Sequence, residues 1–216
     1  MYVPDQYRAP NPSWTIDLIR RHPLALLVTN GPDQPRATHL PVVLAADADN
    51  DHLGEDLIGR HIRGHMNRLN PHWKALSETE HALLVFQGPG SYVSPTVYGT
   101  SPAAPTWDFS SVHIHGAIEM IDDPEELRQL VRATVRIFER EVGTGWDMNG
   151  SLEYFERLLP GIGGFQMEVR GVDSMFKLSQ EQPPRTVAKV VDAFRACPRE
   201  QELADLVERA AADGLA

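Results

Sequence analysis

The chain has 216 residues, with 20 Lys and Arg against 30 Asp and Glu for a formal charge of −10, nine His and one Cys. That length supports one large domain or two small ones with a real core, and the acidic balance makes nucleic acid and membrane surfaces poor partners. The lone Cys197 excludes an intrachain disulfide and any Cys-based zinc or iron–sulfur site.

The opening residues, MYVPDQYRAPNPSW, hold neither a basic segment nor an apolar run, and Leu24–Val28 is too short for a signal or a span. A cytoplasmic protein is the expectation. Leu24–Thr29 reads as a strand closed by the turn signal Asn30-Gly31-Pro32. Ala37–Leu44, Leu57–His65, Ala82–Gln87 and Ser111–Ile121 follow as strands at the short spacing of a small barrel or sandwich. Asn70-Pro71-His72-Trp73 reads as a cap and first helical turn. The Gly- and Pro-rich segment Gly88–Asp108 reads as a long loop, the kind of element that usually carries function.

The last third is mostly helical. After Pro124-Glu125-Glu126, the residues Leu127, Leu130, Val131, Thr134 and Phe138 keep helical spacing. Val187, Val190, Val191 and Phe194 do the same, as do Leu203, Leu206 and Val207. Gly164–Arg170 and Ser174–Leu178 read as two more strands. The fold class is therefore α+β, a barrel with helices appended at its C-terminal end, and no composition shift marks a domain boundary.

The histidines carry the first chemical signal, because His both ligates metals and titrates near neutrality. Alternation along Ser111–Ile121 puts Val112, Ile114, Ile118 and Met120 on one face and His113 and His115 on the other. That HxH spacing can chelate a metal if a third ligand such as His39 joins it. His65 stands at a strand end, where functional side chains often project. Gly161-Ile162-Gly163-Gly164 resembles a phosphate loop but precedes a strand rather than a helix, so it is set aside. Ser94, Thr96 and Tyr98 give a hydroxyl-rich stretch beside Gly99 that suits phosphate or carboxylate oxygens. Trp107 and Phe109 are aromatics fit to cover a flat ring. For each of these residues the bland alternative is a hydrogen-bonded or packed residue with no ligand.

MYVPxxYR, ATHLP (Ala37–Pro41), GHxxRxNPxW (Gly64–Trp73), FQGP, YVSP, PTWD, VHIHG and KLSQ (Lys177–Gln180) occur here in the order in which they resemble the PaiB-type family. Its members are often labelled FMN-binding negative transcriptional regulators. The resemblance implies a split β-barrel of the flavin-reductase (PNPOx-like) sort over residues 1–182, with 183–216 as a helical extension of the same domain. It also implies a homodimer with cofactor at the interface. GHMNRLNPHW, SPTVYGTSPAAPTWDF, GWDMNGSLEYFERLLPG (Gly145–Gly161) and MFKLSQEQ are similar to the haem-dependent piperazate synthases. Those enzymes turn N5-hydroxy-L-ornithine into L-piperazic acid by forming an N–N bond with loss of water. The resemblance makes haem b the expected cofactor with His65 as axial ligand. It makes Ser94, Thr96, Tyr98, Trp107, Phe109 and Gln180 cofactor-binding, His39, Arg68 and His115 substrate-binding, and His113 and Lys177 catalytic. The alternatives are a PaiB-type regulator holding FMN through the same hydroxyl stretch, and a haem-binding or haem-degrading split barrel.

Overall fold

A computed structural model describes residues 1–45 and 56–214. In chain order its main elements are α1 (Pro12–Arg21), β1 (Leu24–Thr29), β2 (Arg36–Leu44), β3 (His61–Asn67), α2 (Pro71–Leu76), β4 (His81–Val93) and α3 (Pro95–Tyr98). They continue with β5 (Thr106–Ile121), α4 (Pro124–Glu141), α5 (Leu152–Leu158), β6 (Ile162–Lys177), α6 (Pro184–Arg195) and α7 (Gln201–Ala212). The strands close a barrel in the order β1-β2-β3-β6-β5-β4, so the expected α+β split-barrel class holds. Among the described residues no helix is long and apolar enough to cross a membrane.

Three boundaries differ from the sequence reading. Gly88–Asp108 is not one loop: β4 continues through Gly88-Pro89-Gly90 to Val93 and β5 begins at Thr106. The reason is steric. A Cβ on Gly88 would collide with the Ser110 hydroxyl and one on Gly90 would lie 2.9 Å from the Phe109 Cβ, so these glycines let the chain run close alongside β5. The strand expected over Leu57–His65 starts only at His61, because Leu57–Arg60 make a turn with Gly59 at φ 76°. The two strands expected over Gly164–Arg170 and Ser174–Leu178 are the single strand β6.

The chain divides into two compact units, with β4, β5 and β6 contributing residues to each. The first comprises Met1–His22, Phe86–His113 and Asp173–Ala216. Helix α1, which sequence periodicity did not reveal, is capped by the Asn11 side chain accepting from Ser13 N–H at 3.0 Å. It buries Trp14, whose ring meets Phe176 edge-on at 5.1 Å. Its indole N–H donates to Asp213 at 3.1 Å, and the Arg209 guanidinium lies 4.2 Å over its face. Val187, Val190, Val191 and Phe194 of α6 and Leu203, Ala204 and Val207 of α7 are buried, as their spacing requires.

The second unit comprises Pro23–Val85 and Ile114–Val172. Here β3 pairs antiparallel with β6 from His61↔Glu168 to Asn67↔Ile162. Ile62, Gly64 and Met66 face inward with Phe165 and Met167, all buried. Helix α4 starts at Asp123, whose carboxylate accepts from Glu126 N–H at 2.9 Å ahead of Pro124. Its Leu127, Leu130 and Val131 cluster with Val43, Ile121 and Leu159, and Phe155 and Ile162 pack against that cluster. Asn70 caps α2 as the sequence suggested, accepting from His72 N–H at 2.9 Å.

Gly116 of β5 marks the tightest strand approach, since a Cβ there would overlap the Glu168 carbonyl oxygen of β6. Because that obstacle is backbone, Gly116→Ala should cost at least about 1–3 kcal/mol, the ordinary range for overpacking. Urea unfolding followed by circular dichroism checks this. A variant as stable as the parent would show that the two strands are not so close.

Candidate functional site

Within the first unit, residues from four distant motifs meet around Asp108. On β5 the side chains of Trp107 and Phe109 share one face and Asp108 turns to the other, where it is wholly buried. Its Oδ2 accepts a 2.6 Å hydrogen bond from the Ser179 hydroxyl, while Oδ1 is buried without a partner. Burial raises the Asp108 pKa from 3.8 to about 6; the Glu181 charge adds to the shift, while the Ser179 bond and the Lys177 charge oppose it. Ser179 reaches the carboxylate from φ 60°, the left-handed region, and is the one non-glycine residue there among the described residues.

The turn after β6 that holds Ser179 is shaped by Gln180. Its amide oxygen accepts from Leu178 N–H at 2.5 Å and its amide nitrogen donates to the Phe176 carbonyl at 2.6 Å. Gln180, expected at the cofactor, thus spends its hydrogen bonds on its own backbone. Lys177 donates to the Thr106 hydroxyl and to the Trp107 carbonyl at 3.1 Å, with its ammonium 5.9 Å over the Tyr7 ring. The Tyr7 hydroxyl donates to Glu181 at 3.3 Å. Burial, together with the negative charges of Asp108 and Glu181, raises the pKa of Tyr98. Burial is also the main cause for Tyr7, whose bond to Gln6 opposes it.

The hydroxyl stretch lies in this unit as well. The Ser94 and Thr96 hydroxyls are 2.9 Å apart, and Ser94 caps the single turn α3. Lys189 of α6 donates to the Tyr98 carbonyl at 2.9 Å, beside Gly99 at φ 66°. Trp107 is exposed and meets Tyr92 edge-on at 6.2 Å, and Phe109 is half-buried. His113 is half-buried; burial and then the N-terminal ammonium lower its pKa, against the Asp173 charge. That ammonium pairs with Asp173 at 2.6 Å.

In the second unit His65 projects from β3 on the face shared with His61 and Arg63. Arg63 reaches Glu126 of α4 at 3.1 Å, which identifies this as the face that α4 covers. The residue opposite His65 is Gly164, where a Cβ would press on Leu127 at 2.8 Å. Burial lowers the His65 pKa below 6.5, so the ring is neutral at pH 7. Neither ring nitrogen has a hydrogen bond among the described residues, and of the two only Nδ1 is sealed from solvent. A neutral imidazole with an open Nε2 is the form that binds a metal.

The other candidates in this unit do not gather around His65 through any hydrogen bond. Arg68 donates to the Ile162 carbonyl at 2.7 Å and stacks on Trp73 at 5.4 Å. His39 is exposed on β2, and the exposed His115 has its ring over Gly171. Among the described residues no group of three His, Cys, Asp or Glu side chains is placed to hold a metal ion, so the HxH pair has no third ligand there. The sequence reading missed Asp108, Tyr7, Ser179, Glu181 and Lys189. Asp108, Tyr7, Ser179 and Glu181 lie inside the motifs PTWD, MYVPxxYR and MFKLSQEQ, and alternation about Trp107 and Phe109 was the available signal for Asp108.

The closed six-stranded barrel with its helices has the split β-barrel fold. Residues 1–171 match the family described as "Putative FMN-binding domain", and the chain belongs to that family. It is 28% identical to the Protease synthase and sporulation protein PAI 2 of Bacillus subtilis over 96% of this chain and 97% of that one. A conserved hypothetical protein of Mycobacterium tuberculosis superposes with a TM-score of 0.57 at 15% identity, over 85% of this chain and 94% of that one. An FAD and heme binding protein of Mycobacterium smegmatis does so at 0.56 and 14%, over 84% and 79%.

The raised Asp108 pKa has a definite sign for stability. The unfolded carboxyl ionises near 3.8 and the folded one near 6, so ionisation destabilises the fold as pH rises through that window. At pH 7 the ionised Asp108 should cost roughly 3 kcal/mol relative to acid pH. Asp108→Asn, which still accepts from Ser179, should therefore gain stability over the parent between pH 4 and pH 7. Paired urea titrations across that range test this, and parallel curves would contradict it.

Proposed function

We propose that the protein is a haem-dependent cyclase that converts N5-hydroxy-L-ornithine to L-piperazic acid, acting as a cytoplasmic homodimer. The observation that carries the reading is His65: a neutral imidazole with Nδ1 buried and bare and Nε2 unclaimed. A nitrogen of that kind is free to ligate a metal. The resemblance of GHMNRLNPHW and GWDMNGSLEYFERLLPG to piperazate synthases supports the same assignment.

When bound, haem would supply a Lewis-acidic iron that makes the hydroxylamine oxygen a better leaving group. The protein's part is to hold His65 neutral as the ligand and to move two protons. The α-ammonium loses a proton so that its nitrogen can attack N5, the N–O bond breaks, and the departing hydroxide takes up a proton as water. His113, kept neutral chiefly by burial, and Lys177 are the two residues that the resemblance marks for these proton transfers. Asp108, with a pKa near 6, is a proton reservoir beside Lys177. Folding the flexible substrate before attack contributes through proximity.

A second reading is an FMN-binding regulator. It is favoured by the family match and by the Ser94 and Thr96 hydroxyls with Lys189 at the end of α3, a donor set that suits a phosphate. The charge of −10 weighs against its DNA-binding half.

Absorbance of the purified protein separates the two. A haem reading requires a Soret band that shifts or vanishes in His65→Ala. Mass spectrometry should then find a product one water lighter than N5-hydroxy-L-ornithine. A yellow protein with flavin absorbance and no Soret band after haem loading overturns the cyclase.

A further inference from the structure

The segment between α4 and α5 belongs to a motif block that the proposed reaction does not use, yet it frames a cavity. Helix α4 turns Leu127, Leu130 and Val131 to the core, and a different stripe, Arg132, Arg136 and Glu139, faces Trp146, Asp147 and Asn149. The half-open space between them is about 450 Å³. That is within the range of about 300–1,000 Å³ common for small-molecule sites.

The loop is held in place by groups that keep hydrogen-bonding capacity to spare. Glu139 Oε2 accepts from the backbone N–H of Thr144 at 3.2 Å and of Trp146 at 3.0 Å, while its Oε1 has no bond among the described residues. Asp147 Oδ1 accepts from Asn149 N–H at 3.0 Å, and its Oδ2 is likewise free among the described residues. The Trp146 ring leans on Phe155 at 6.3 Å. On α4, Arg132 reaches Glu156 at 3.3 Å, but its Nε is buried without a partner. Arg136 donates only to the Arg132 carbonyl, at 3.3 Å, and has no carboxylate partner among the described residues.

The lining thus offers an open cation, two open carboxylate oxygens and an apolar wall made by Trp146, Val135 and Met148. A simple anion would face the carboxylates of Glu139 and Asp147 as well as the guanidinium groups of Arg132 and Arg136. A simple cation would face Arg136. A zwitterion satisfies both sides. We propose that this cavity binds a free α-amino acid with a small apolar side chain. Its carboxylate pairs with Arg136, its ammonium with Asp147 Oδ2 and Glu139 Oε1, and its side chain lies on Trp146. The proposal stands whether or not the protein is a cyclase.

Isothermal titration of the full chain with L-norvaline tests it. Pentanoate lacks the ammonium and butylamine lacks the carboxylate, so each should bind at least tenfold more weakly than norvaline. Arg136→Met and Asp147→Asn should each weaken norvaline by about tenfold or more, the range for one charge-assisted bond. The amide oxygen introduced by Asp147→Asn keeps an acceptor for Asn149 N–H, so that variant retains the loop. His65→Ala should bind norvaline as the parent does. No heat with norvaline, pentanoate binding as tightly as norvaline, an unchanged Arg136→Met, or loss of the heat in His65→Ala would each overturn the assignment.

Discussion

The register between β3 and β6 is the constraint on which the second unit depends. It runs from His61↔Glu168 to Asn67↔Ile162, and because side chains alternate with period two, a slip by one residue would reverse every one of them. Two glycines pin it. The Phe165 ring occupies the space where Gly64 would carry a Cβ, and the Trp73 ring does the same at Gly163. Any side chain at either place would have to displace a buried aromatic. The locked register sends Ile62, Gly64 and Met66 inward, and it fixes His61, Arg63 and His65 on the face under α4. The helix in turn covers that face with Leu127 and Leu130, which approach the backbone closely because Gly164 has no side chain. The surroundings of His65 therefore follow from glycine placement in the strands.

In the first unit the organising feature is a cost. An aspartate wholly out of solvent with one oxygen unpartnered is unfavourable on any account of polar burial. The chain adds a second cost, a serine in the left-handed region, to give that aspartate its one side-chain hydrogen bond. Gln180 ties the turn to Leu178 and Phe176, and Phe176 packs on the deeply buried Trp14. The strained turn is thus anchored on a pair of buried aromatic rings. A group with a pKa of about 6 exchanges its proton readily near neutrality.

What could be read from the sequence was whatever depends on local periodicity. Leu24–Thr29, α4, α6 and α7 appeared in the patterning because each buries one face, and the Asn70 cap appeared because capping needs a particular side chain. Features set by tertiary approach did not appear. Gly88-Pro89-Gly90 looks like a turn until Ser110 and Phe109 are known to fill the space beside it. Gly171 looks like a break in β6 until the His115 ring is found over it. Site residues divide in the same way. His65 was visible as a histidine in a predicted strand, although β3 runs two residues past it and does not end there, whereas Asp108 draws its character from Ser179, Lys177 and Glu181, some seventy residues away in the chain. No local pattern encodes that meeting.

Another histidine of the second unit, His72, shows how the protein treats an imidazole used for structure, and His65 differs from it. His72 is buried, its Nε2 lies 2.9 Å from the Thr29 hydroxyl and its Nδ1 lies 2.8 Å from the Thr38 hydroxyl. Asn70 then supports Thr38 at 3.3 Å, so the whole arrangement is satisfied. Burial, and then the Arg36 charge, lowers the pKa of His72, so this ring is neutral as well. Neutrality alone therefore separates nothing. The separation is in the partners: two threonines serve His72, and none of the described residues serves either nitrogen of His65. A buried nitrogen without a bond costs about 1–3 kcal/mol, and a single hydroxyl of the kind used at His72 would remove that cost. Gly164 stands opposite His65, and a threonine cannot take its place there because its Cβ would lie 2.8 Å from Leu127. Among the described residues the fold therefore supplies His65 with none of the hydrogen bonds that it gives His72.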